Sequence, residues 1–292
     1  MQQPADLYLQ LMKSCLINTI YADHFRPPAH AKPRWKRWVV KALKARDLEL
    51  VHARPRAVMS AERERKARID GWAWLPEAHT MIGARRLDNL QQCIEDVLER
   101  GVPGDLIEAG VWRGGASMFM RAVLKAHGVE DRTVWVADSF QGLPPPNEAL
   151  YPADAGDLHH TVDELSVSVD EVRRNFGLYD LLDDRVRFLP GWFSDTLPQA
   201  PIERLAVIRI DADMYSSTTE VLEALYPRLA PGGYVIVDDY GGIPACRRAV
   251  DDYRAAMGIT DEIRRIDWSG IYWLRSSDVL SDESRPPAGR AT

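Results

Sequence analysis

Cysteine is scarce in this chain: three in 292 residues, at Cys15, Cys93 and Cys246. A scattered, odd-numbered set excludes a disulfide framework and a cysteine zinc cluster. It fits a reducing compartment, so a cytoplasmic location is expected. Long apolar runs are missing too. None approaches the roughly 20 residues that cross a bilayer, and no membrane span is expected. The opening MQQPADLYLQ lacks the charged-then-apolar layout of a secretory leader. Neither the G-x-G-x-x-G turn of a dinucleotide fold nor the Lys-Ser/Thr of a phosphate loop is present. Internal repeats, low-complexity tracts and nucleic-acid module signatures are absent as well, and no nucleic-acid partner is expected. What remains is 46% hydrophobic and 27% charged, the composition of an ordinary globular protein.

Charge is unevenly spread. The net value is −6, yet residues 26–70 hold 14 Lys/Arg against 5 Asp/Glu. An acidic body thus carries a basic segment, which could bind an anionic surface or pack as a solvated arm on an acidic face. Three regions are expected. Residues 1–77 form a helical, basic N-terminal extension, with an amphipathic helix over 5–22 and a helical run at Arg34–Leu50. Residues 78–275 carry the main domain, and the polar, Pro/Gly-containing 276–292 form a disordered tail.

Within 78–275, strand-like runs alternate with helical stretches. The strands are Leu106–Ala109, Val134–Ala137, Val186–Leu189, Leu205–Ile210 and Tyr234–Val237. The helices are Ser117–His127, Val169–Tyr179, Ser217–Leu229 and Ala245–Met257. Glu262–Ile266 and Gly270–Leu274 suit a terminal hairpin. This alternation predicts an α/β fold, an open parallel sheet with helices on both faces. Ligands of such sheets bind beyond the carboxyl ends of the strands.

The residues at those ends carry chemistry. After the first strand, Glu108 precedes Gly110 and Gly114-Gly115, an acid and a glycine turn suited to a ligand with an amino group and no phosphate. Asp138 ends the second strand, where an acid either accepts from ribose hydroxyls or caps the following turn. Trp192 and Phe193 follow the third, as walls for a purine ring or as core. Asp211 and Asp213 end the fourth strand, and Asp238 and Asp239 the fifth. Four carboxylates in one cleft repel unless protons or a cation join them. Oxygen-only ligands favour a hard ion such as Mg²⁺, which assigns Asp211, Asp238 and Asp239 to metal and leaves Asp213 as candidate general base. Helix capping is the simpler alternative, and it accounts for one acid per turn. His159 and His160 lie in the long non-repetitive stretch 141–166, as substrate contacts or surface residues.

The segments EAGVWRGG, TVWVADSFQG, LLDDRVRFLPGWFSDTLP, AVIRIDAD and GGYVIVDDY, preceded by AHTMIGARRLDNLQQC, closely resemble the macrocin O-methyltransferase family. These enzymes methylate sugar hydroxyls of glycosylated natural products. The resemblance implies the class I S-adenosylmethionine methyltransferase fold, a Rossmann-like, mostly parallel seven-stranded sheet with its last strand antiparallel. It implies S-adenosylmethionine and Mg²⁺ as cofactors, a sugar-containing small-molecule or oligosaccharide-precursor acceptor, and a homodimer or higher homo-oligomer. It places Glu108 and Gly110 along the methionine part of the cofactor, Thr80 and Met81 at its carboxylate, with Ser117 nearby. Asp138 and Ser139 fall at the ribose, and Gly191 and Trp192 at the adenine. Asp211, Asp238 and Asp239 fall at Mg²⁺, with Asp213, or metal-bound Asp211, as base. Ala109 and Ala212 stand where the family usually has Thr and Gly. Two alternatives read the D-x-D of Asp211 and Asp213 as a metal-dependent glycosyltransferase site, or the basic segment as the binding surface of a non-catalytic protein.

Overall fold

The computed structural model describes residues 3–20, 61–72 and 78–276, together with a two-residue antiparallel pair, Phe25–Arg26 with His52–Ala53. The Arg34–Leu50 run and the tail from residue 277 lie outside the described residues.

Seven strands form one sheet: β1 (Asp105–Ala109), β2 (Val134–Asp138), β3 (Val186–Pro190), β4 (Leu205–Ile210), β5 (Leu229–Val237), β6 (Arg264–Arg265) and β7 (Ile271–Leu274). Their spatial order is β3-β2-β1-β4-β5-β7-β6. β1 to β5 pair in parallel, and β7 runs antiparallel to both β5 and β6. The expected terminal hairpin is therefore the pair β6–β7, inserted so that its second strand meets β5. Chain direction along the sheet reverses at β1, which has β2 on one side and β4 on the other. That switch point leaves a crevice above the strand ends.

The strands are apolar almost throughout because both faces are covered. Leu106, Val134 and Val136 point into one core, whereas Ile107, Trp135 and Ala137 point into the other. The first face carries α1 (Pro4–Leu16), α3 (Ala84–Glu99), α4 (Gly115–Ala126) and α5 (Val169–Leu178). The second carries α6 (Phe193–Thr196), α7 (Tyr215–Leu225) and α8 (Pro244–Met257). A further helix, α2 (Ala61–Asp70), is polar along most of its length.

Some elements differ from expectation, among them β5, which begins at Leu229 rather than Tyr234. α1 stops at Leu16 rather than at residue 22, because Asn18 adopts φ +51 and its N–H turns back to the Cys15 carbonyl. Asparagine tolerates that left-handed stop. α7 begins at Tyr215 and ends at Leu225, since Pro227 lacks the N–H that would extend it. α3 was not anticipated as an element, although Leu87, Leu90 and Ile94 recur at helical spacing and are fully buried. Each such side chain contributes about 1.5–3 kcal/mol. α1 joins the same core through Leu9, Met12 and Leu16, so the N-terminal helix packs on the sheet domain directly.

Candidate active site

β4 and β5 are neighbours in register, with Ile210 opposite Val237. The residues that follow, Asp211 and Asp238, therefore leave the sheet side by side. Asp211, Asp238 and Asp239 bring carboxylate oxygens within 4.8 Å of one another. Asp213 lies two residues on, in a left-handed conformation with φ +55. The convergence of the two acidic strand ends is as the sequence predicted.

The floor beneath them holds a cation that the sequence reading did not use. Arg209 sits on β4 opposite Glu108 of β1 and is 1% exposed. Its Nη1 donates to Glu108 at 2.6 Å and to Asp211 at 3.0 Å, and its Nη2 donates to Asp238. Arg86, on α3, donates to the other oxygen of Asp238 and, through Nε, to Asp267 at 2.8 Å. Its guanidinium also stacks on Trp268, 5.3 Å from the ring centroid. Asp238 is thus clamped by two arginines. Burial still raises its pKa, with Asp211 adding to the effect and Arg86 and Arg209 opposing it.

The neighbouring acids carry excess negative charge. Burial pushes Asp239 well above the usual carboxylate range, and Asp213, Asp211 and Asp238 push it further. Its Oδ2 is buried without a hydrogen-bond partner. Burial and the charge of Asp211 raise Asp213 to about 7, against the pull of His159. Burial likewise raises Glu108 to about 7, although Arg209 and Ser117 favour its charged form. An orphaned carboxylate oxygen beside two more, with no Cys or His, fits a hard divalent ion.

Above this floor opens a cleft of about 1160 Å³, counting its solvent-filled mouth. Every parallel strand end from β1 to β4 contributes to its lining: Gly110 and Trp112, Asp138 and Ser139, Gly191 and Trp192, Asp211 and Asp213. Gly110 has φ +86, and a Cβ there would lie 1.8 Å from the Asp211 carbonyl oxygen. This glycine is required first by the close packing of two strand ends. Asp138 caps the turn that follows and also lies in the cleft lining. Its oxygens accept the N–H groups of Val111 and Phe140, each at 2.7 Å, and its side chain still lines the cleft.

The chain matches the macrocin O-methyltransferase family (TylF) over residues 5–275. It belongs to that family. It is similar to the demethyldecarbamoylnovobiocin O-methyltransferase of Streptomyces niveus, with 51% identity over 93% of this chain and 94% of the relative. It is also similar to the mycinamicin III 3''-O-methyltransferase of Micromonospora griseorubida, with 57% identity over 73% of this chain and 84% of the relative. The solved O-methyltransferase NovP superposes with a TM-score of 0.78 at 49% identity, over 93% of this chain and 99% of that one. This macrocin O-methyltransferase family member is therefore an O-methyltransferase on the class I methyltransferase fold, and the glycosyltransferase and non-catalytic readings fall away.

Other residues singled out in the sequence divide into cleft wall and support. Met81 lines the cleft, as does Phe193, which also packs against the second core. Trp192 is 37% exposed at its rim. Thr80, Glu108 and Ser117 stand behind the wall. The Ser117 hydroxyl donates to Glu108, and Thr80 accepts from the Ile82 N–H at 3.3 Å. A Cβ on Gly115 would sit 2.6 Å from Thr80, so this glycine admits the 78–82 segment against α4. His159 pairs with Asp157 through Nδ1 at 2.7 Å and lies within electrostatic reach of Asp213. His160 is exposed.

The sequence reading missed Arg209, Arg86 and Asp154. Arg209 had a signal: a lone arginine inside the apolar run AVIRI must find partners if the strand is buried. Arg86 and Asp154 had none, since their partners are 152 and 61 residues away.

Proposed function

We propose that this O-methyltransferase transfers a methyl group from S-adenosylmethionine to a sugar hydroxyl of a glycosylated natural product, with Mg²⁺ held by Asp211, Asp238 and Asp239. The observation that carries the reading is one cleft with two ends. Asp138, Ser139, Gly191 and Trp192 line one part, suited to ribose and adenine, and Asp211 and Asp213 line another. A relative from Streptomyces olivaceus, 51% identical over 97% of this chain, is named for 4'-O-methylation of a rhamnosyl-tetracenomycin, which supports the same acceptor class here.

S-adenosylmethionine, held along Gly110, Asp138, Ser139, Gly191 and Trp192, would supply a sulfonium methyl with a neutral thioether as leaving group. Bound Mg²⁺ supplies positive charge that favours the deprotonated acceptor. The protein's own residues do the rest. Asp213 takes the hydroxyl proton. It lines the cleft two residues beyond Asp211, where a carboxylate can reach an acceptor hydroxyl. Asp211 is less available for that role, because Arg209 donates to it at 3.0 Å. Arg209 fixes Glu108, Asp211 and Asp238 relative to one another, so the floor needs no rearrangement during reaction.

Charge also bears on the acceptor. Among the described residues, the cleft lining holds Asp138, Asp211, Asp213 and Glu220 and no Lys or Arg. Such a wall attracts a sulfonium and repels phosphates. Leu143, Pro144, Pro145 and Leu165 add an apolar rim. A neutral glycoside with an apolar aglycone suits this surface better than a nucleotide-linked sugar or a charged oligosaccharide precursor. A homodimer or larger homo-oligomer and a cytoplasmic location complete the reading.

The test is an acceptor screen with methyl-labelled S-adenosylmethionine, with and without Mg²⁺, on wild type and two variants. Asp213→Asn keeps affinity for S-adenosylhomocysteine within about twofold and loses about 10²–10⁴ in kcat. Asp238→Asn loses turnover and its response to Mg²⁺. Near-normal kcat in Asp213→Asn removes it as base, and turnover indifferent to chelator removes the metal.

A further inference from the structure

Asp154 lies in the irregular stretch 141–166, yet it is 2% exposed. It ends a 3₁₀ turn, Pro152–Asp154, and its carboxylate reaches across to α7. Oδ1 accepts the N–H of Tyr215 at 2.6 Å, and Oδ2 accepts the N–H of Ser216 at 3.0 Å. Those are the first two N–H groups of α7, and the residue in front of them is Met214, whose side chain makes no cap. A helix start of this kind needs an acceptor and favours an anion. Here a residue 61 positions upstream supplies it.

The contact ties two walls of the cleft together. Tyr151 packs on Tyr215 with ring centroids 6.1 Å apart. Beyond Asp154, the Asp157 N–H donates to the Asp154 carbonyl at 3.1 Å. The Asp157 carboxylate in turn accepts from the His159 backbone at 2.8 Å and holds its ring at 2.7 Å. On the other wall, Asp213 stands two residues before Tyr215. The same residue therefore ties α7, behind Asp213, through its carboxylate, to the turn that carries His159, through its backbone carbonyl. At its ends, the 141–166 stretch lines the cleft through Gly142, Leu143, Pro144, Pro145 and Leu165.

We propose that Asp154 is a positioning residue: by capping α7 from the opposite wall it fixes the acceptor-side stretch 141–166 over Asp213. The clause about the acceptor rests on the function proposed above; the mechanical link between stretch and helix does not.

Amide hydrogen exchange separates the two. Asp154→Ala raises exchange about tenfold in residues 141–166 and at the start of α7, since two hydrogen bonds to a charged group are lost. Asp154→Asn, which keeps one side-chain oxygen, shows the same pattern at reduced size, and it stands in if Asp154→Ala fails to fold. Asp163→Ala, an exposed acid of the same stretch, leaves exchange unchanged. Calorimetry with S-adenosylhomocysteine stays within about twofold of wild type for all three, because the cofactor-side residues are not engaged. With demethyldecarbamoylnovobiocin as acceptor, KM rises about tenfold in Asp154→Ala while kcat changes less, and His159→Ala adds little in that background. Unchanged exchange in Asp154→Ala overturns the proposal, as does exchange that rises evenly over the whole chain. A wild type that methylates no acceptor while its Asp154→Ala variant shows the localised exchange sinks the proposed function and upholds the mechanical link.

Discussion

The floor of the cleft and its outer wall hold their functional acids by different means. On the floor, Glu108, Asp211 and Asp238 come from three adjoining strands and share one arginine, Arg209. Backbone ladders fix the strands, and a buried cation fixes the side chains. On the outer wall, residues 141–166 contain no strand and no α-helix, and Leu150 and Leu158 are 65% and 68% exposed. Ties from there to the rest of the molecule include two hydrogen bonds between Asp154 and α7, the Tyr151–Tyr215 ring contact, and the bond from the Trp112 indole to the Glu164 carbonyl at 2.8 Å. Chemistry common to every acceptor demands a floor that does not move. An irregular wall, by contrast, can change in sequence without disturbing the sheet.

The comparison can be broken most forcefully at Arg209. Arg209→Met leaves Glu108 and Asp238 buried without their shared counter-charge, and should cost about 3–5 kcal/mol in chemical denaturation. Adding Glu108→Gln should return part of that loss. If Arg209→Met is as stable as wild type, the floor is not held by its ion network.

A smaller effect is expected from pH. In the metal-free protein Glu108 and Asp213 stand at about 7, against 4.5 and 3.8 for the free side chains. The folded state keeps protons that the unfolded chain releases. Stability from these groups is therefore full below about pH 4 and is lost as pH rises through about 7. The thermal midpoint of chelated wild type should fall relative to that of Asp213→Asn across this window, and Mg²⁺ should close the gap. A gap that opens in the other direction means that Asp213 is ionised without metal.

The smallest effect belongs to the wall. Trp112→Phe removes one exposed hydrogen bond to Glu164 and should cost about 1 kcal/mol or less. Its signature is faster proteolysis or exchange in 141–166. An effect as large as that of Arg209→Met would erase the distinction between the two regions.

Much of the fold was legible in the sequence because parallel strands buried on both faces must be apolar. VWVAD and AVIRID announce themselves by composition, and their acids by position. The amphipathic repeat of α3 is equally visible, but strand–helix alternation does not demand a helix before the first strand. Of the site, the carboxylates could be read and their counter-ions could not. Asp238 next to Asp239 is written in the chain. Arg86 on Asp238 is a contact between a helix and a strand end 152 residues apart.

Sequence by itself determined the order of the strands, the acids at their ends and the family to which they belong. These follow from local pattern: burial sets the period, and the turn after a strand sets where polar residues emerge. Tertiary structure alone decided which acids share a cation, that Glu108 and Ser117 face each other behind the cleft, and that Asp154 caps a helix it does not precede. Such pairings depend on which backbones lie side by side, and a buried charge takes whatever partner the packing brings within reach.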